Sequence, residues 1–352
     1  MQSATPLPLA ENEAASLDEL LSPIDNGRFQ SVIDRLHSSF KISVAICPVP
    51  LPAPGLIITP EIRTQCERYL PIAGITAAFN LLYSAALTYP PILSSTPFHR
   101  SMSWADTFAA LPAPFQSSAN PARLLESLLA DKDLLTRFLF ASFLPDRFYG
   151  GIWRYPGQQG FIRQWLTSRK GMALRCLDTA CGTGEDTYAL ALQLIEGGFP
   201  PDAVHIDGWT LEPLEVWSAT HRRFPYDRNR EGLLKAATSN LVKQGYGARI
   251  NFRCRDIVRL SSPEKADNRR GYDLILCNGL LGGPIIHGIG QLDRVVGNLS
   301  QLLAPGGILL AADSFHGGWK QKYPQAGLRA SFEASLLKTF EAGEGIGGLK
   351  SD

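Results

Sequence analysis

The sequence predicts an α/β protein in which a parallel sheet, fed by crossover helices, follows a mainly helical region. Three observations carry this. Leu174, Cys176 and Leu177 form a short apolar run that enters a turn holding Gly182 and Gly184, and from Asp186 onward Tyr188, Ala189, Leu192 and Ile195 recur at helical spacing. Short apolar runs then alternate with helical patterns as far as Ala312, the arrangement of strands joined through helices. Before residue 148, apolar residues mostly recur three and four apart between proline- and serine-rich breaks.

In the second half the elements arrive in order. Strand one is 174–177, and its helix runs to about 196. Strand two is 203–210, with a helix over 213–221. Strand three is 249–253 and strand four 272–277. A helix covers 291–303, and strand five is 308–312 after the turn Pro305-Gly306-Gly307. Right-handed crossovers make such strands a Rossmann-like parallel sheet. Beyond Ala312 the sequence offers a helical pattern over 328–340 and a glycine-rich tail, Gly343 to Gly348, so closing strands are expected to be short, irregular or missing.

The first half divides into a polar tail over 1–13 and a mainly helical domain over 14–147. Helical patterns include Leu17 to Leu36, 61–69, 72–87 and a long amphipathic run over 123–143. Residues 42–46 read as a strand and 94–122 as irregular. The stretch 70–98 carries no charge, but Pro71, Asn80 and Pro90-Pro91 interrupt it, which favours a buried core helix over a membrane span. The segment 17–47 resembles the start of a small ligand-sensing domain; an enzyme-specific helical cap is the equal alternative.

The chain has 352 residues and a formal net charge of +1, enough length for two domains and no basic excess of the kind that nucleic acid demands. Arg222, Arg223, Arg228 and Arg230 cluster, but Asp227 and Glu231 interrupt them, so they read as a solvated face. The six cysteines form no C-x-x-C pair and the histidines lack zinc spacing, which argues against a metal site. No basic-then-apolar leader opens the sequence, and the expected location is the cytoplasm.

The loop after strand one reads Asp178-Thr179-Ala180-Cys181-Gly182-Thr183-Gly184-Glu185. It has neither the third glycine of a dinucleotide fingerprint nor the Gly-Lys of a phosphate loop. The carboxylates Asp178 and Glu185 would repel a pyrophosphate and suit a cationic cofactor. This run resembles motif I of the class I S-adenosylmethionine-dependent methyltransferases, and with its flanks it is most similar to the chemotaxis-receptor methyltransferases, which methylate protein glutamates.

The resemblance implies a cofactor-binding domain over 148–352 and S-adenosylmethionine as cofactor. It places Asp178, Ala180, Cys181, Gly182 and Gly184 on the methionine part. Glu212 would hold the ribose, because Thr210 stands where the family has its acid; Asp207 is the fallback, and a helix-start acid is the plainer reading of Glu212. Asp256 and Ile257 would take the adenine, unless Asp256 only caps a turn. Asn278 would line the transfer point beside the cofactor. The family's arginine before that asparagine and its aromatic pair after the leucines are replaced here, the latter by Gly282-Gly283-Pro284. The segment Phe148 to Pro156 is similar to the family's aromatic–arginine segment, giving Arg154 and Tyr149 as acceptor-side residues, with inter-domain packing as the alternative. His287 and His316 could act as a base for a hydroxyl or amine acceptor. Three functions stay open: a protein carboxyl methyltransferase, a small-molecule methyltransferase of a tailoring pathway, and a cofactor-binding signalling module without turnover. None involves nucleic acid or membrane insertion.

Overall fold

A computed structural model describes residues 16–144, 152–260, 270–282, 286, 288–312 and 325–351. The chain divides into two compact units, one holding 16–144 with Phe224–Arg228, the other holding 152–223 and 229–351.

The first unit is helical. Its helices are α1 (Leu17–Leu20), α2 (Gln30–Ile46), α3 (Pro60–Tyr69), α4 (Ile72–Ala86), α5 (Pro97–Arg100), α6 (Trp104–Ala110), α7 (Pro121–Ala130) and α8 (Lys132–Phe143). Its core is aromatic. Phe79 stacks on Phe98 with ring centroids 4.1 Å apart, and Tyr83 meets Phe143 edge-on at 5.1 Å. The Tyr83 hydroxyl donates to Ser142 Oγ at 2.9 Å, so the buried phenol is not left unpaired. Among the described residues no single helix is long and apolar enough to cross a membrane. The pair α3 and α4, bent by 73°, meets that test only when taken together. Ile75, Phe79, Leu82 and Tyr83 of α4 are fully buried in this core.

Three expectations fail here. Residues 42–46 are not a strand but the last turns of α2, whose Ile33 and Leu36 are buried one turn apart. Ile42, Val44 and Ile46 stay exposed while Ser43 is buried, so the alternating pattern does not mark a buried strand face. Once a helix is nucleated each added residue gains a hydrogen bond, whereas a lone strand has no partner. The likeness of 17–47 to a sensor domain uses that strand as one of its elements. The run 123–143 is two helices broken at Asp131, whose backbone is extended and whose carboxylate caps α8 through Leu134 N at 2.9 Å. The stretch 94–122 contains α5, α6 and a short 3-10 turn rather than being irregular throughout.

The second unit continues with α9 (Pro156–Thr167), β1 (Leu174–Asp178), α10 (Glu185–Glu196), β2 (Val204–Thr210), α11 (Pro213–His221), α12 (Arg228–Lys243), β3 (Ile250–Cys254), β4 (Tyr272–Leu276), α13 (Ile289–Leu302), β5 (Leu303–Ala312), α14 (Gln325–Ala334), β6 (Leu337–Ala342) and β7 (Gly345–Lys350). The strands form a seven-stranded sheet in the order β3-β2-β1-β4-β5-β7-β6. The first five are parallel, and β7 runs antiparallel to both neighbours. The expected Rossmann-like parallel sheet is therefore present. Leu292, Val295, Val296 and Leu299 of α13 recur at helical spacing and bury against Leu177, Ile275, Leu309 and Phe332.

The sheet also closes with the strand pair that the sequence had put in doubt. The pattern over 328–340 ends as a helix at Ala334, and Phe340 belongs to β6. The glycine-rich tail is β7 itself. Its glycines are there for room: a Cβ at Gly345 would lie 1.9 Å from the Ala311 carbonyl oxygen, and one at Gly347 would lie 2.2 Å from the Phe340 ring.

Candidate functional site

In an open parallel sheet, ligands bind beyond the carboxyl ends of the strands, where the strand order reverses. Here the reversal falls between β1 and β4, and the loops leaving them are stitched together. Thr179 N and its hydroxyl both donate to Leu276 O at 2.9 Å, Cys181 N donates to Trp209 O at 3.0 Å, and Gly279 N donates to Ala312 O at 2.9 Å. Gly182 and Gly184 adopt φ of 51° and 90°, which L-residues seldom reach, and Gly184 opens α10. A Cβ on Gly184 would also meet the Phe252 ring at 3.0 Å.

Asp178 ends β1, buried, with Oδ2 accepting from the Thr187 hydroxyl at 2.7 Å. Its other oxygen makes a long contact of 3.4 Å with Ala180 N. Cys181 is buried beside it. Glu185 is not an open negative charge. Arg230 of α12 reaches it through Nε at 3.0 Å and also donates to Thr183 Oγ1 at 2.6 Å, while that hydroxyl donates to Glu185 Oε2 at 2.6 Å. Arg230 thus leaves the expected solvated face and becomes a partly buried partner of the glycine loop. Of the two loop carboxylates, Asp178 is then the one not neutralised by Arg230.

Glu212 is buried and forms the N-cap of α11, accepting from Leu214 N at 3.2 Å. Thr210 ends β2 and hydrogen-bonds Glu215. The fallback Asp207 lies mid-strand, paired with His205 at 3.0 Å and the Tyr272 hydroxyl at 2.7 Å, away from the strand ends. Burial alone would raise its carboxyl, but those two hydrogen bonds and the His205 charge hold it below the ordinary carboxylate range. Asp256 caps the turn after β3 through Val258 N at 2.9 Å, with Arg259 at 3.8 Å. Ile257 is buried in the core under α13, and its carbonyl accepts from Asn298.

Asn278 departs most from expectation. Its amide is engaged on both sides: Nδ2 donates to Gln158 Oε1 at 2.8 Å, and Oδ1 accepts from Gln158 Nε2 at 3.0 Å and from Ala312 N at 2.9 Å. It stitches β4, β5 and α9 together. Arg154 also stands in this region, its side chain 9% exposed. One guanidinium nitrogen donates to the Tyr155 hydroxyl at 3.0 Å, another stands 3.7 Å from Asp186 at the start of α10, and the group lies over the Tyr155 ring. Among the described residues its Nε finds no acceptor. A Cβ on Gly279 would lie 3.5 Å from the guanidinium, so Arg154 flanks the end of β4.

Tyr149, His287 and His316 lie outside the described residues. The free thiols Cys66, Cys176, Cys181 and Cys277 are buried, and burial pushes the Cys277 thiol up to about 12. Gln158, Thr187 and Arg230 contact the candidate site residues and Glu344 contacts Gln158, and the sequence pattern does not single them out for it.

No protein-family model matches the chain. Over 141 residues, 39% of the chain, it is 30% identical to the probable biofilm formation methyltransferase WspC of Pseudomonas putida, and the match spans 32% of that protein's length. Among solved structures it is similar to an S-adenosylmethionine-dependent methyltransferase from Clostridium acetobutylicum, at 15% identity over 56% of this chain and 92% of that one, with a TM-score of 0.36. It is also similar to SAM-bound CalS10, an amino pentose methyltransferase from Micromonospora echinaspora, at 12% identity over 55% and 90%, with a TM-score of 0.34.

Proposed function

We propose that the chain is an S-adenosylmethionine-dependent methyltransferase of the chemotaxis-receptor type, acting on a carboxylate. The cofactor domain is 148–352 and the helical domain 14–147 is its accessory. The observation that carries the reading is the loop from Asp178 to Gly184, set at the reversal point of a sheet that closes with an antiparallel hairpin. The name of the P. putida relative supports it over the matched length. The free cysteines are consistent with a reducing cytoplasm.

The donor set fits such a cofactor. A guanidinium whose buried Nε has no acceptor among the described residues is matched to a carboxylate, and buried acids at the ends of β1 and β2 are matched to ammonium and hydroxyl donors. Bound S-adenosylmethionine supplies an already activated methyl group, so the protein's share is orientation and exclusion of water. The glycines let the loop backbone approach closely. Asp178 would face the methionine part, Glu212 the ribose, and Asp256 the adenine from its position beyond β3. Ile257 would contribute backbone or an edge of its side chain, since the rest of it is committed to the core. Arg154 would hold a carboxylate, of the cofactor or of the acceptor, and Asn278 would support the end of β4. A carboxylate acceptor requires no general base.

Calorimetric titration with S-adenosylhomocysteine, beside an Asp178→Ala variant, tests the reading. Micromolar binding that the variant loses is expected, and absence of binding by the wild type would sink it. Base-labile methyl incorporation into protein would identify a carboxyl acceptor; base-stable incorporation into a small molecule would turn the assignment to the tailoring class.

A further inference from the structure

The segment carrying Arg154 runs directly into α9, and three long-range contacts fix the first turn of that helix. The Glu344 carboxylate, in the turn between β6 and β7, accepts from the backbone N–H groups of Gly157 and Gln158, both at 2.8 Å. The same turn presses on the helix: a Cβ on Gly343 would stand 2.1 Å from the Gln158 nitrogen. The Gln158 side chain then exchanges two hydrogen bonds with Asn278, whose Oδ1 also takes the N–H of Ala312. A helix start presents unpaired N–H groups and a positive dipole end, and a carboxylate satisfies both. A reciprocal amide pair uses donor and acceptor on each side, so it fixes both rotamers. Glu344, the start of α9, Gln158, Asn278 and the end of β5 therefore form one connected chain, with Arg154 only two residues before Pro156.

We propose that Gln158 and Glu344 are positioning residues of the cofactor site, locking the start of α9 against Asn278 and so holding Arg154 at the end of β4. The inference rests on the methyltransferase reading above. It assigns the β6–β7 hairpin a task beyond closing the sheet: its turn sets the placement of a cation distant in sequence. Asn278 acts through the same lock rather than as a catalytic residue.

The test uses the full chain and S-adenosylhomocysteine, titrated well below each variant's unfolding temperature. Glu344→Gln and Gln158→Leu are expected to weaken binding about ten- to a hundredfold, the scale of a small misplacement at a bound group. Gln158→Glu keeps an acceptor for Asn278 Nδ2 but loses the donor, and should fall between Gln158→Leu and wild type. Glu341→Gln, in β6 of the same hairpin, should bind as wild type does. Hydrogen exchange over residues 152–158 supplies a readout without ligand and should speed up in Glu344→Gln and Gln158→Leu, less in Gln158→Glu, and not in Glu341→Gln. If Glu344→Gln fails to fold, the two Gln158 variants decide. Variants that bind within twofold of wild type while unfolding earlier would mean a purely structural role and overturn the inference. Wild-type protein that binds no S-adenosylhomocysteine would instead bring down the methyltransferase reading, and this inference with it.

Discussion

At the scale of single residues, Arg230 shows how a charge changes meaning on folding. In the sequence it belongs to an arginine-rich stretch interrupted by acids. In the fold it is largely withdrawn from solvent and bound to the buried Glu185 and to Thr183, pinning the turn that carries Gly182 and Gly184. Removing one partner of a buried ion pair strands the other charge, which costs about 3–5 kcal/mol. Arg230→Met should therefore lower stability by that order in urea unfolding, and adding Glu185→Gln should recover much of the loss. A single variant as stable as wild type would show the pair to be incidental. The motif from Asp178 to Gly184 was legible because its function depends on local backbone shape, which neighbouring residues encode. Gln158 was not legible: its partner is more than a hundred positions away, and a glutamine after a helix-starting proline has no pattern of its own. The sequence did suggest Asn278 as a site residue, for its place at the end of β4, but could not show that its amide is already spent on Gln158 and Ala312.

At the scale of elements, the parallel strands and their helices followed from period and order, because each buries a continuous apolar face. The elements misread were those whose pattern is set by a neighbour. Residue Asp131 breaks one apparent helix into two by capping the second. The strand β7 is rich in glycine, which by propensity argues against a strand, yet packing requires it. Gly345→Ala would put a methyl against the Ala311 carbonyl of β5, a backbone atom that cannot yield without breaking the β5–β7 ladder. Overpacking of that kind costs about 1–3 kcal/mol or more. Gly160→Ala within α9 meets nothing within 4 Å and should instead stabilise, by about 0.4–1 kcal/mol. The two thermal midpoints, compared with wild type, should move in opposite directions. A Gly345→Ala protein with an unchanged midpoint would refute the account of why β7 is made of glycine.

For the whole molecule, three carboxylates in different regions share one physical state. Burial would raise each of them, but partners overrule it: Arg63 and Ser103 at Asp106, His205 and Tyr272 at Asp207, and the N–H groups of Gly157 and Gln158 at Glu344. Each folded carboxyl therefore sits below its ordinary value. In the unfolded chain these groups return to about 4. A depressed folded value means the unfolded state takes up protons first as pH falls, so the associated stability is present above about pH 4 and is lost on passing down through the folded values. The three come from α6, from the middle of the sheet and from the closing hairpin, so acid should weaken both units rather than one. Thermal unfolding followed by circular dichroism should give a small fall of the midpoint as pH drops through about 6.5, because burial and then the Arg223 charge hold the His221 imidazole below its ordinary value, and a steep decline below about pH 4, each kcal/mol lost moving it about 2–4 °C. Glu344→Gln should flatten part of that decline, since a neutral amide has no proton to gain. A midpoint that holds or rises in acid would mean these carboxylates are not held in their charged form by the contacts described.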